Sequence, residues 1–197
     1  MEKINIPQDS YYCRFSKESL EKLCGDELKC IRKNLYKLHL NNREFQIECP
    51  VMKNSRQEIL VIWPAFKLPF RKYPVHVYLY AVALYLSSDL SMRKVAEKVR
   101  ITFGLEKFSH STVSRALKKL TAIVEEIEKL MTEAIPEFKD ITETTLVVRR
   151  RWDLERQEKY QKLLHLLYPV LNSDCDAMEY GALLNYNSFN KTNKFLI

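Results

Sequence analysis

Gly25, Gly104 and Gly181 are the only glycines in 197 residues, and their scarcity constrains the fold more than any other feature of this sequence. Glycine supplies the positive-φ positions on which tight hairpins, bulges and phosphate-cradling loops depend. A chain this poor in glycine has few ways to build a hairpin-rich sandwich, and neither a Rossmann nor a Walker glycine pattern occurs in it. Helices are therefore favoured. The remaining composition, 46% hydrophobic and 29% charged with a mean hydropathy of -0.31, is that of a globular chain of one or two domains rather than a disordered one. No stretch approaches the roughly 20 apolar residues of a membrane span, and MEKINIPQDS lacks the apolar centre of a signal peptide. The expectation is a cytoplasmic chain without a membrane partner.

Three parts follow from the patterning. In residues 1–66, Ser16 ahead of KESLEKLC, with Leu20 and Leu23 on one face and Gly25 as a stop, predicts a short capped helix. LYKLHLNN, REFQIEC and QEILVIW then predict a small antiparallel meander, with Phe45, Ile47 and Cys49 alternating and turns at Asn41-Asn42 and Lys53-Asn54-Ser55. Pro64, Pro69 and Pro74, each five residues from the next, forbid a helix and mark a boundary. Residues 67–133 read as helical. PVHVYLYAVALYLSS buries Val75, Leu79, Val82 and Leu86 along one face. MRKVAEKVRITF, after Ser91, turns Val95, Val99 and Phe103 inward and stops at Gly104. A third helix capped by Ser109 is expected to run through Met131, because Val113, Leu117, Leu120, Val124, Ile127 and Met131 are spaced 4, 3, 4, 3, 4 as in a heptad seam. In residues 134–197, TTLVVRRR predicts a strand or extended segment, WDLERQEKYQKLLHLLYP a last amphipathic helix, and NYNSFNKTNKFLI a polar tail. The fold class expected is mainly α with a small N-terminal β meander and a trihelical helix-turn-helix core.

Cysteine usage points to reduced thiols. Cys13, Cys24, Cys30, Cys49 and Cys175 are odd in number and none lies in a C-x-x-C pair. A zinc site could be drawn from Cys24, Cys30, His39 and Cys49, but zinc-ligand pairs stand about two to four residues apart and these stand wider. No metal or cofactor is expected. His39, His76 and His165 read as structural residues, and Tyr73, Tyr78, Tyr80 and Tyr85 as core or interface.

Charge is unevenly placed. Residues 67–121 carry Lys67, Arg71, Lys72, Arg93, Lys94, Lys98, Arg100, Lys107, Arg115, Lys118 and Lys119 against Asp89, Glu97 and Glu106, a net of +8, whereas the whole chain carries +7. Residues 122–148 swing acidic. A basic block bordered by an acidic one predicts a localised polyanion-binding face. The third helix suits that role. Val113, Leu117 and Leu120 would seat it, leaving His110, Ser111, Ser114 and Arg115 on the opposite side near its N-terminus. Ser109, Thr112 and the free N–H groups of the first turn can donate to a phosphate, and Arg115 can meet a guanine edge with two hydrogen bonds.

On these residues the segment FSHSTVSRALKKL resembles the recognition-helix segment of lactose-repressor-type regulators. SMRKVAEKV followed by STVSRALKKL resembles the helix-turn-helix of bacterial insertion-sequence transposases, and both share T-V-S-R. The second resemblance extends over about residues 35–121, where ECP at Glu48 to Pro50 and AFKLPFRKYPVHV are similar to the cysteine ribbon and basic linker of that group, with only Cys49 at a matching place. It implies His110, Ser111 and Arg115 as base readers and Thr112 and Ser114 as phosphate contacts on double-stranded DNA. Lys118, Lys119, Arg71, Lys72, Arg93 and Lys94 would supply further backbone contacts.

The function so implied is a non-catalytic, transposase-related DNA-binding protein acting in transcription regulation or transposition. The alternatives are a remnant or subunit of a transposase whose catalytic part lies elsewhere, and a protein-interaction module using the heptad seam. An enzyme would need acidic metal ligands, and the candidates Asp140, Asp153, Asp174 and Asp176 do not sit at the ends of convincing strands. Finally, the seam over residues 113–131 needs cover, from a second copy in a homodimer or, within one chain, from Leu163, Leu164, Leu167 and Val170.

Overall fold

The computed structural model describes residues 2–6, 17–134, 144–173 and 175–197. Four strands, β1 (Glu2–Ile6), β2 (Leu28–Leu40), β3 (Arg43–Asn54) and β4 (Ile59–Pro64), form one sheet in the order β1-β4-β3-β2. The last three are antiparallel and β1 joins β4 in parallel. Asn41 and Asn42, at φ 50 and 56, make the two-residue left-handed turn whose twist matches paired strands, and asparagine tolerates that conformation better than most residues. The resulting register sets Tyr36 opposite Ile47 and Leu38 opposite Phe45.

Side-chain alternation then builds two cores. Leu38, Ile47, Cys49, Val51, Val61 and Trp63 gather in one cluster, while Met52, Leu60 and Ile62 gather in another with Leu20 of helix α1 (Lys17–Cys24) and with Leu28. β4 is apolar on both sides, which is why ILVIW reads as an unbroken run.

Helix α2 (Val75–Ser87) is buried over most of its length and touches α3 (Met92–Thr102), α4 (His110–Ala122), α6 (Leu154–Leu167) and α7 (Ala177–Thr192). A helix apolar all round must be enclosed by others. Its C-terminal carbonyls are closed by Arg149, whose Nη2 donates to the carbonyls of Tyr85, Ser88 and Leu90 at 3.2, 3.0 and 2.7 Å. The guanidinium lies 4.2 Å from the Tyr85 ring centre.

The fold class expected from the sequence is corrected here. About half of the chain is helical, in seven α-helices among the described residues rather than a trihelical core. The sheet is no small meander: β2 and β3 run 13 and 12 residues, and the antiparallel strands follow an N-terminal strand and helix. Strand pairing across distant residues, as in β1 with β4, leaves no local pattern to read.

Three elements also differ. The third helix is not continuous to Met131. It breaks at Ile123 (φ -124, ψ 11) into α4 and α5 (Val124–Ala134). Thr121 Oγ1 donates to the Leu117 carbonyl at 2.7 Å, a bond that bends helices, and β-branched side chains follow. The expected polar tail is largely α7, capped by Asp176 and burying Leu184 and Phe189, with Leu196 and Ile197 buried after it. TTLVVRRR, from Thr144 onward, joins no strand; Val147 N–H donates to the Leu86 carbonyl at 2.9 Å.

The break decides the fate of the heptad seam. Val113, Leu117, Leu120, Val124 and Ile127 are each at most 4% exposed within a single chain. Helix α5 lies against α6 and α7, and α4 against α2, α3 and α6. From Val113 to Ile127 the cover comes from within the chain, so this part of the seam does not by itself call for the second copy expected through residues 113–131. The side chain of Met131 lies outside the described residues, as do Ser16, Cys13, Asp140 and Asp174. No helix among the described residues is long and apolar enough to cross a membrane.

Candidate nucleic-acid interface

Helices α3 and α4 are joined by seven residues that are shaped from outside. The tip of the β2–β3 hairpin docks on them: Asn41 N–H donates to the Phe103 carbonyl at 2.7 Å and Asn42 N–H to the Gly104 carbonyl at 2.8 Å. Gly104 stands at φ 53, and a Cβ there would lie 2.8 Å from the Asn42 nitrogen, so both the conformation and the space require glycine. Leu105 and Phe108 are buried and anchor the turn on the core, while Glu106 and Lys107 between them are exposed.

Ser109 caps α4, its hydroxyl accepting from Thr112 N–H at 3.3 Å. The Ser111 and Thr112 hydroxyls lie 2.8 and 3.0 Å from the same oxygen, so three hydroxyls crowd the positive end of the helix dipole. Val113, Ala116, Leu117 and Leu120 seat α4 on the core. His110, Ser111, Ser114, Arg115, Lys118 and Lys119 are exposed, and Thr112 is half-buried. Arg115 Nε donates to the Ser111 carbonyl at 3.1 Å, which lays the guanidinium along the helix toward its N-terminus.

At that N-terminus a cleft of about 530 Å³ opens between the proline-rich connection and the turn, lined by Phe70, Arg71, Lys72, Tyr73, Tyr78, Arg100, Glu106, Lys107, Phe108, Ser109 and Thr112. The connection is tied down beside it: His39 N–H donates to the Lys72 carbonyl at 2.8 Å. Four cations thus meet two capping hydroxyls. Among the described residues no ion pair involves Arg71, Lys72, Arg100 or Arg115, whereas Lys107 sits 3.7 Å from Glu106. Burial raises the pKa of both tyrosines in the wall, the Glu106 carboxylate adding to the shift at Tyr73. They remain neutral phenols, able to donate at physiological pH.

Sequence-based expectation and geometry coincide only in part. Arg71 and Lys72 do come beside Ser109 and Thr112. Arg93, Lys94, Lys118 and Lys119 are exposed on α3 and α4 but do not line the cleft. Arg100, Lys107 and Phe70 line it without having been singled out; only the charge block hinted at the first two. Lys67, counted in that block, contributes nothing to the surface. It is buried, its Nζ donating to the carbonyls of Leu68 and Arg71 at 2.7 and 2.5 Å, and burial draws its pKa down to about 8.

Other candidates are absorbed by structure. Asp153 accepts from Arg156 N–H and Asp176 from Met178 and Glu179 N–H, so two of the four weighed carboxylates are helix caps. Cys49 and Cys24 belong to clusters on opposite faces of the sheet and cannot share a metal; burial pushes the Cys49 thiol up to about 12. Among the described residues no group of three or more His, Cys, Asp or Glu side chains is arranged to hold a metal ion. No family model, curated protein or solved structure matches the chain.

Proposed function

We propose that the chain is a non-catalytic, cytoplasmic protein that binds double-stranded DNA, with the exposed face of α4 in a groove and the cleft at its N-terminus on the phosphate backbone. The observation that carries this reading is the convergence of Arg71, Lys72, Arg100 and Lys107 on the capped N-terminus of α4, from three separate stretches of chain. Cations alone form ordinary surfaces. Cations gathered around free helix N–H groups and hydroxyls form an anion seat, and a neighbouring row of His110, Ser114 and Lys118, beside Ser111 and Arg115, offers groups that reach base edges. The T-V-S-R resemblance to insertion-sequence transposases and lactose-type regulators fits a role in transcription regulation or transposition by occupying DNA rather than cutting it.

Fluorescence anisotropy on labelled duplexes over a salt series tests the reading. If about six phosphates are neutralised, the log-log slope should be roughly -5, and a flat response refutes the proposal. On the sequence preferred in a selection from random DNA, Arg115→Ala should cost about 1 to 3 kcal/mol, and much less on unrelated DNA. Equal losses on both would make Arg115 a backbone contact. Arg71→Ala with Lys72→Ala should weaken binding to all sequences alike.

A further inference from the structure

Phe70 is 84% exposed, more than any other large apolar side chain among the described residues, and it stands on the rim of the cationic cleft. Its backbone is at φ 59. Leu68-Pro69-Phe70-Arg71 is a tight turn closed by Arg71 N–H donating to the Leu68 carbonyl at 3.2 Å, with proline second and the positive-φ residue third. That third position favours glycine or asparagine, because a Cβ is strained there. An aromatic ring is among the poorer choices for such a place, and here it gains no core burial in return.

The turn is nonetheless held rigidly. The buried Lys67 bonds through one ammonium to the carbonyls on both sides of Phe70, those of Leu68 and Arg71. Beneath that ammonium lie the Tyr36 and Trp63 rings, 5.6 and 5.9 Å away, and the Phe70 ring centre is 6.4 Å from that of Trp63. A strained, braced turn therefore presents a bare aromatic ring next to Arg71 and Lys72, which face the anion seat at Ser109 and Thr112.

We infer that Phe70 is a wedge that enters a base step of the duplex whose backbone lies in the cleft, unstacking that step and kinking the DNA. The inference rests on the DNA-binding reading and goes beyond it. Charge complementarity chooses the occupant: cations on the same rim draw a phosphate backbone to within reach of the ring, and apolar side chains beside such cations are what minor-groove wedges use. Flexible pyrimidine–purine steps are the cheapest to open.

The test uses the full chain and duplexes carrying 2-aminopurine at successive TA steps, with anisotropy and end-to-end energy transfer read on the same samples. Wild type should raise 2-aminopurine fluorescence at one step and shorten the end-to-end distance. Phe70→Gly keeps the positive-φ turn and every cation; it should lose both signals and bind about fivefold or more weakly, with the salt slope unchanged. Phe70→Trp should restore them. Circular dichroism of each variant confirms that the fold is intact. Binding by wild type with flat 2-aminopurine signals overturns the wedge alone, as does a Phe70→Gly variant that unstacks DNA like wild type. Absence of duplex binding at low salt overturns the DNA-binding reading and the wedge with it.

Discussion

Replacing Gly104 by alanine separates the cost of a left-handed backbone from the cost of undocking the hairpin, because Gly25 provides an internal control. Both glycines have positive φ, +66 at Gly25 and +53 at Gly104. At Gly25 an added Cβ meets nothing within 4 Å, whereas at Gly104 it meets Asn42 N at 2.8 Å and Asn41 C and Cα at 3.0 Å. Those are backbone atoms, so no side chain can swing away. Gly25→Ala should therefore lose only about 1 kcal/mol for placing an L-residue in the left-handed region. Gly104→Ala should lose that amount together with the two bonds from Asn41 and Asn42 to the turn, worth about 0.5 to 1.5 kcal/mol each, for a total of about 2 to 4 kcal/mol. Urea unfolding followed by circular dichroism gives both values, and hydrogen exchange at the Asn41 and Asn42 amides reports docking directly. Exchange at those amides should quicken in Gly104→Ala and stay unchanged in Gly25→Ala. If the two substitutions cost the same and exchange is unaltered, the hairpin does not brace the turn and the reasoning fails. Because the turn sets where α4 begins, the DNA binding proposed above should weaken in the undocked state.

Two further perturbations probe the core. Burial draws the pKa of His76 from 6.5 down to about 4, against a small opposing pull from the Asp176 carboxylate. The unfolded chain takes up this proton first, so the stability contributed by neutral His76 is complete above pH 6.5 and is lost as pH falls through 4, by up to about 3 kcal/mol; His76→Gln should flatten that slope in urea midpoints, and parallel slopes would refute the assignment. Asn185 is fully buried, its Nδ2 donating to the Ala65 carbonyl at 2.7 Å and its Oδ1 accepting from Leu196 N–H at 3.0 Å. Asn185→Leu strands two buried backbone groups and should cost about 2 to 5 kcal/mol by thermal or chemical unfolding, while a loss below about 1 kcal/mol would show that the C-terminal residues are not pinned there.

What the sequence determined by itself is what neighbouring residues settle among themselves. Ser91 and Ser109 cap the helices they precede, Gly25 and Gly104 follow α1 and α3 with positive φ, Asn41-Asn42 turns the hairpin, and the apolar spacing of α2, α3 and α4 faces the core. Each depends on backbone preferences over a few positions. Only the tertiary structure decided the rest. A heptad spacing cannot tell a partner helix from α6 and α7 of the same chain, and the helix break at Ile123 contains neither glycine nor proline. NYNSFNKT looks polar along the chain, yet α7 brings Asn185 and Ser188 to satisfied positions inside it. The cleft itself joins residues 70–73, 78, 100, 106–109 and 112, whose proximity follows from α2 crossing the core and the hairpin gripping the turn. Charge along a sequence is a sum over residues, but an anion seat depends on the directions in which they point. Lys67 shows the difference: counted with the basic block, its ammonium turns inward onto two carbonyls and two aromatic rings, which offset only part of the desolvation that lowers its pKa.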